Sequence, residues 1–401
     1  MIVIVGAGAG GGILARELAK NGKEVTIIEK GPYIDSKDAF NYYNEYVPEI
    51  DLLATTCVGG STMVSMANMV RALDEELHEY GIDLSKEYEY VEELVGVHEL
   101  DDSHIGRGTQ LFLDAARELG LNTQKMPKAI REEDCIQCGK CAFGCPVNAK
   151  WTARDFVDEA VEAGAELICD AEVSDIILCN LEACGVKYKK GGEEHLIKAK
   201  KIILCAGAIE LAAILKSSGL TGIGRELFMD PFVTVGGYLK DINFNSEVQM
   251  AGLVVGKNFV LSPHFSTFIN EDGEKLDDKD ILSIMVKTPD EAKGYVHSDG
   301  FIQKVNTIKD IKYLAEGVAT AGYILEKAGV DPNTICSTVY RGAHPGGTAS
   351  IGKVVDSNLE TEIENLFVCD ASVLPVAPGK PPILTILALA KRLADYLSVM
   401  Y

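Results

Sequence analysis

Basic residues are scarce in this chain: 38 Lys and Arg stand against 60 Asp and Glu, giving a formal net charge of −22 over 401 residues. A nucleic-acid surface needs clustered cations to replace counterions, and docking on anionic lipid needs a basic face, so both are excluded as functions. Long apolar runs are also missing, and no stretch approaches the roughly 18 residues of a membrane span. Internal repeats and low-complexity linkers are absent as well, which removes solenoids and disordered arms from consideration. The chain opens on an apolar strand at Ile2, which leaves no room for a signal peptide, so a cytoplasmic protein is expected. What remains is a chain 47% apolar and 24% charged, long enough for two or three lobes with substantial cores.

Cysteine, by contrast, is concentrated. Residues 135 to 145 read Cys-Ile-Gln-Cys-Gly-Lys-Cys-Ala-Phe-Gly-Cys, and Pro146 follows. This C-x2-C-x2-C-x3-C-P run is the ferredoxin-type spacing for an iron-sulfur cluster. A structural zinc site is the competing reading, but zinc usually pairs two C-x2-C knuckles across a longer spacer. In two-cluster ferredoxins the Cys before Pro serves the other cluster. Either Cys145 therefore completes one [4Fe–4S] cluster with Cys135, Cys138 and Cys141, or a remote residue such as Cys57 supplies the fourth ligand. The other cysteines (Cys57, Cys169, Cys179, Cys184, Cys205, Cys336, Cys369) sit mostly in apolar or strand-like segments, as expected of buried free thiols in a reducing compartment.

Ile2-Val3-Ile4-Val5 is an apolar run of the kind a strand buried on both faces requires, and it leads into Gly6-Ala7-Gly8-Ala9-Gly10-Gly11. That G-x-G-x-x-G is followed by an apolar-periodic helix and by a second strand, Val25-Thr26-Ile27-Ile28, which ends in Glu29. The whole context of a dinucleotide fingerprint is present. Gly6 makes the tight turn, Gly8 admits a pyrophosphate at the helix N-terminus, Gly11 permits close helix-to-strand packing, and Glu29 accepts ribose hydroxyls. Further buried strands are expected at Lys201 to Leu204 and Leu366 to Val368, and an apolar helix over 383–397 after Pro381-Pro382. Between about 232 and 340 the pattern changes to alternating strand-like segments (Val233 to Leu239, Gly252 to Val255, Ile281 to Val286) with a charged loop at Asn270 to Asp280. An inserted antiparallel lobe is expected there.

At separated points from end to end the chain resembles the glucose-methanol-choline (GMC) flavin oxidoreductases. Val58-Gly59-Gly60-Ser61-Thr62 is similar to the family's Gly-Gly-Ser segment beside the flavin, and Ala171-Glu172-Val173 to the strand that meets the adenine. Ala206-Gly207-Ala208 with Ser218-Gly219 resembles the second family signature, and Ala343-His344-Pro345-Gly346-Gly347-Thr348 the H-P-x-G-T active-site motif. Val368-Cys369-Asp370-Ala371-Ser372 through Thr385-Ile386 resembles the closing cofactor segment, with Asp370 and Thr385 at cofactor positions. The stretch from Cys138 to Cys145, with Lys150 and Thr152 after it, looks most like the long-chain fatty alcohol oxidase branch. Cys135, which completes the ferredoxin spacing, comes from the residues and not from the resemblance.

The resemblance implies an α/β protein: a Rossmann-like FAD-binding domain of GMC type over 1–74, 151–231 and 341–401, and an inserted antiparallel-sheet α+β substrate region over 75–131 and 232–340. On the cysteine spacing, residues 132–150 are expected to form an iron-sulfur loop between them. The resemblance implies FAD at Gly6, Gly8, Gly11, Glu29, Gly59, Gly60, Ser61, Val173, Ala206, Asp370 and Thr385. No His stands at the position of covalent flavin attachment, which is Val64, so the FAD is expected to be noncovalent. His344 is the expected general acid or base. Where the family carries a second catalytic His or Asn, this chain reads Gly379-Lys380-Pro381-Pro382, leaving Lys380 as the nearest polar group. The family's D-H-P appears here as Met229-Asp230-Pro231. His264 and His297 carry no pattern above ordinary loop or strand histidines.

A flavin exchanges electron pairs with a substrate carbon and a cluster takes them singly, so the combination converts one currency into the other. The expected function is a dehydrogenase or reductase, not an oxygen-using oxidase. It acts on an alcohol/carbonyl-type, hydrophobic small molecule and exchanges electrons with a ferredoxin-like carrier protein. Two alternatives stand beside it: a flavin enzyme reducing carbon-carbon double bonds, and an electron-transfer subunit of a larger complex.

Overall fold

The computed structural model describes residues 1–44, 51–215, 218–270 and 276–400, so part of the charged loop expected at Asn270 to Asp280 lies outside the described residues. Five strands form a parallel sheet in the order Leu366–Val368, Lys201–Leu204, Ile2–Val5, Val25–Ile28, Glu166–Ile168. Ile2, Val3, Ile4 and Val5 are all buried, as the unbroken apolar run demands of a strand covered on both faces. Helix Ala9–Lys20 follows the glycine turn and packs on helices Ala153–Glu162 and Ile383–Met400. The last of these begins directly after Pro381-Pro382, where ring-fixed φ suits a helix entry.

Two glycines of the fingerprint are required by the protein itself. Gly6 has φ +102°, and a Cβ there would lie 2.2 Å from the Cys205 carbonyl oxygen. A Cβ on Gly11 would lie 1.9 Å from the Gly6 carbonyl oxygen, so helix and turn meet only because it is missing.

A three-stranded antiparallel sheet (Ala171–Cys179, Glu182–Lys190, Glu193–Lys198) stands beside the parallel one. Its first hairpin corrects the expectation of free thiols throughout: Cys179 and Cys184 form a disulfide with Cα atoms 5.9 Å apart. The tight turn at Asn180-Leu181 pairs Cys179 with Glu182 and Leu178 with Ala183, which brings the two sulfurs within reach.

The second lobe is built on a sheet of eight strands among the described residues. Its main path runs Asp51–Leu53, Arg341–Ala343, Pro231–Tyr238, Ile281–Lys287, Val260–Pro263, Gly252–Val255, Thr123–Lys125, and Cys336–Ser337 also pairs with Pro231–Tyr238. It is antiparallel as expected, except where Arg341–Ala343 runs parallel to Asp51–Leu53. Those two strands lie within segments the sequence assigns to the dinucleotide half, so the halves are joined through this sheet. Helices Arg107–Glu118 and Ile308–Lys327 cover one face, packing Phe112, Ala321 and Ile324 against Val233, Val235, Leu282, Ile284 and Val286. With a side-chain period of two, the alternate residues Phe232, Thr234, Met285 and Lys287 point to the opposite face.

Candidate functional site

A cavity of about 1280 Å³ runs from the glycine turn to that uncovered face. Pockets for drug-sized ligands measure roughly 300–1,000 Å³, so this space is large enough for a dinucleotide and a small second molecule. Gly6, Gly8, Gly10 and Glu29 line one end, at the carboxyl ends of the parallel strands where α/β sheets bind nucleotides. Nothing lies within 4 Å of a Cβ built on Gly8, so the space its missing side chain leaves belongs to the cavity. The Glu29 carboxylate accepts the Ala7 and Gly31 N–H groups, each at 2.8 Å, and burial pushes it up to about 7 against the pull of those bonds. Four lone-pair sites leave it capacity for ribose hydroxyls.

Gly60, Ser61, Val173, Ala206 and Asp370 also line the cavity, and so does Val64. Asp370 spends its carboxylate on the turn around it, accepting Gly207 N–H at 2.7 Å and Ser372 N–H at 2.8 Å. Gly11 and Gly59 lie behind the lining, and so does Thr385. The Thr385 hydroxyl is buried at 2.9 Å from the Tyr88 hydroxyl and 3.0 Å from the Ala72 carbonyl oxygen, so it ties the last helix to the chain near Ala72.

At the other end His344 lines the cavity. Its Nδ1 lies 3.0 Å from Asp230 Oδ2 and 3.5 Å from Lys287 Nζ, while Asp230 Oδ1 accepts Gly379 N–H at 2.9 Å. A carboxylate only accepts, so Nδ1 carries the proton and Nε2 is left as the ring's acceptor. Burial, then the Lys287 charge, lowers the His344 pKa well below its usual range, which keeps the imidazole neutral at pH 7. Burial raises Asp230 and lowers Lys287, and the attraction between them opposes both shifts. His344 and Asp230 both have left-handed backbones, φ 56° and 41°, a strain of about 1–3 kcal/mol per residue.

Lys380 is absent from this lining; Pro381 and Pro382 occupy the wall instead. The cation beside His344 is Lys287, which sequence reading stops one residue short of, at Val286. Its only signal was a lysine closing an otherwise apolar strand. His264, which sequence pattern left ordinary, also lines the cavity, with Nδ1 3.4 Å from Thr234 Oγ1, and burial followed by the Lys287 and Arg341 charges pushes it down to about 4. His297 instead packs edge-on against Tyr295 and at a tilt against Phe301.

Cys135, Cys138, Cys141 and Cys145 all line one small void of about 20 Å³, together with Lys150, Pro146 and Val248. Among the described residues no three Cys, His, Asp or Glu side chains converge so as to hold a single metal ion. The donor set is nonetheless gathered, and Cys57 is not in it: Cys57 is buried on the large cavity beside Glu29. Two buried lysines flank the segment. Lys150 donates to the carbonyl oxygens of Met63, Ser65 and Cys141, and Lys128 to the Met66 carbonyl and Asn68 Oδ1. Gly139, Ala142 and Phe143 of the same segment reach the large cavity. No helix among the described residues is long and apolar enough to cross a membrane.

Comparison with known proteins agrees with this architecture. The family described as GMC oxidoreductase matches residues 46–261 with one model and 301–390 with another, and a model described as NAD(P)-binding Rossmann-like domain matches 4–44. The uncharacterized protein MJ1450 of Methanocaldococcus jannaschii is 36% identical over 97% of both chains. The long-chain-alcohol oxidase FAO4B of Arabidopsis thaliana is 26% identical over 96% of this chain, which spans only 65% of that protein's length. Among solved structures, pyridoxine 4-oxidase from Mesorbium loti superposes with a TM-score of 0.81 at 18% identity over 98% of both chains. A formate oxidase does so at 0.80 and 16%, covering 100% of this chain and 98% of the other. The chain belongs to the GMC oxidoreductase family, as an enzyme with a Rossmann-like flavin-binding domain.

Proposed function

We propose that this enzyme binds FAD noncovalently and uses it to interconvert an alcohol and a carbonyl compound, with His344 as the general acid or base. The observation that carries this reading is a single cavity lined at one end by the Gly6–Gly10 cradle and at the other by half-buried His344 and buried Lys287, with buried Asp230 on His344 Nδ1. Bound FAD supplies hydride transfer to or from the substrate carbon. In the oxidising direction His344 Nε2 takes the hydroxyl proton while the Nδ1 proton stays on its bond to Asp230. The imidazole becomes positive in that step, and the Asp230 charge behind it offsets the change. Lys287 favours the ionised form of Asp230 against the effect of burial and discourages premature protonation of the ring. Asp230 and Lys287 are thus positioning residues. Val64, in place of an attachment His, supports noncovalent flavin.

The same proposal gives Cys135, Cys138, Cys141 and Cys145 a [4Fe–4S] cluster that exchanges single electrons with a ferredoxin-like carrier, making the enzyme a dehydrogenase or reductase. Its support is the ferredoxin spacing together with the gathering of all four thiols at one void. Cys135, Cys138, Cys141 and Cys145 would hold such a cluster, and the void of about 20 Å³ that they line would have to widen to take it. The buried Lys128 and Lys150 supply positive charge where four thiolates would concentrate negative charge. Anaerobic purification followed by flavin, iron, sulfide and zinc analysis tests both cofactors. One zinc per chain without sulfide removes the cluster, and protein without flavin removes the reaction.

A further inference from the structure

One buried ion pair stands outside the proposed reaction. Asp290 and Lys304 have fully buried side chains, with Asp290 Oδ2 2.6 Å from Lys304 Nζ, and that ammonium also donates to the Glu291 carbonyl oxygen at 2.6 Å. Lys304 follows strand Ile302–Gln303, the edge of a small antiparallel sheet with Gly294–Val296 and Arg225–Leu227. Met229 and Asp230 come just after Arg225–Leu227, so this sheet brings the pair to the Asp230 turn. Replacing such a pair by apolar side chains is often neutral for stability, so stability alone is a weak reason for it.

The other Asp290 oxygen gives the pair a place in the site. Oδ1 accepts the main-chain N–H groups of Met229 at 3.1 Å and Asp230 at 3.0 Å. Successive N–H groups closing on one anionic oxygen make a backbone nest, and bonds to a carboxylate are stronger than neutral ones. They hold Asp230 in its left-handed conformation, φ 41°, which a residue other than glycine adopts at a cost. From there its side chain is fixed at both oxygens: Oδ1 accepts Gly379 N–H at 2.9 Å, and Oδ2 lies 3.0 Å from His344 Nδ1. The contacts thus run from Lys304 through Asp290 and the Asp230 main chain to the His344 ring.

We propose that Asp290, held by Lys304, is a positioning residue for the proton transfer. By anchoring the main chain at Met229 and Asp230 it keeps the Asp230 carboxylate on His344 Nδ1, which fixes the ring tautomer and leaves Nε2 as the acceptor. The proposal rests on the assignment of His344 as the residue that moves the proton.

The test is the ring ¹⁵N spectrum of the purified holoenzyme labelled at its 7 histidines, with His344→Gln to identify the His344 signals. Wild-type His344 should carry its proton on Nδ1. In the double variant Asp290→Leu, Lys304→Met, apolar side chains of similar size replace both charges, so the fold should survive while the two N–H groups lose their acceptor. His344 should then show the Nε2–H tautomer or a mixture. Asp290→Asn keeps an oxygen for those N–H groups and should retain the wild-type tautomer. A double variant with the wild-type tautomer, or an Asp290→Asn protein shifted as far as the double variant, overturns the proposal, because a merely structural pair moves the unfolding midpoint and leaves the tautomer alone. If the double variant does not fold, Asp290→Ala is read in the same way, and a wild-type His344 protonated on Nε2 overturns the proposal with no variant at all. The measurement uses no substrate, so it succeeds or fails apart from the proposed reaction, which flavin reduction in His344→Ala tests.

Discussion

The residue to which the proposed reaction assigns the proton transfer is His344, held in a left-handed backbone with its Nδ1 on a buried carboxylate. Its replacement by Ala should slow flavin reduction by substrate about 10²- to 10⁴-fold, the usual loss for a general acid or base, as read by anaerobic stopped-flow absorbance. Asp230 and Lys287 are both buried, so they are coupled in stability too. Lys287→Met or Asp230→Ala alone should lower the unfolding free energy by roughly 3–5 kcal/mol, because each strands the other's charge in the interior. The double variant should lose clearly less than the sum in urea unfolding, and strict additivity would show that the pair does not interact. Glu29 gives a pH signature. Its folded value of about 7 lies above the ordinary 4.5, so between those values the folded state keeps a proton that the unfolded state has released. In the flavin-stripped protein the contribution of Glu29 to stability should therefore be fully present below about pH 4.5 and be lost as pH rises to about 7. Glu29→Gln should remove that decline, and an unchanged slope in the variant would assign it to other groups.

At the scale of single elements, the glycine turn separates what the protein needs from what its ligand needs. Gly11→Ala drives a Cβ into the Gly6 carbonyl and should destabilise the fold by about 1–3 kcal/mol. Gly8→Ala meets no protein atom, so stability should stay within about 0.5 kcal/mol while FAD affinity falls. Urea titration beside equilibrium flavin binding distinguishes the two, and a Gly8→Ala protein with wild-type flavin affinity would show that the cofactor does not approach this turn. The turn was legible in the sequence because strand, glycines, helix and acidic residue are consecutive. Strand Ile281–Lys287 was legible as a strand but not as a site. A seven-residue element buried on both faces shows no alternation, so nothing in the sequence says that Lys287 faces the cavity and Val286 the helices.

On the scale of the whole molecule, the cavity lies between two lobes joined by one sheet, and the cysteine segment touches it through Gly139, Ala142 and Phe143. Chemistry at His344 should therefore be separable from delivery of electrons to a carrier. A Cys138→Ala, Cys141→Ala protein lacking cluster should keep the substrate-flavin half-reaction close to wild type and lose exchange with ferredoxin. If it still reduces ferredoxin at the wild-type rate, the cysteines have a structural role only. Cys145→Ala should lose iron and Cys57→Ala should keep it, since Cys57 lies on the flavin cavity beside Glu29.

Local order determined the parallel sheet, the dinucleotide turn, the closing helix and the spacing of the four cysteines, because each is a contiguous pattern whose geometry follows from neighbouring residues. Folding decided the rest. Asp230, Lys287 and His344 are separated by 57 residues or more along the chain, and the pairing of strands Pro231–Tyr238, Ile281–Lys287 and Arg341–Ala343, at or just beyond whose ends they lie, brings them together. The displacement of Lys380 by Lys287 and the withdrawal of Thr385 to the Tyr88 hydroxyl were fixed in the same way. Each depends on which side of an element a residue faces, and that is set by what packs against it.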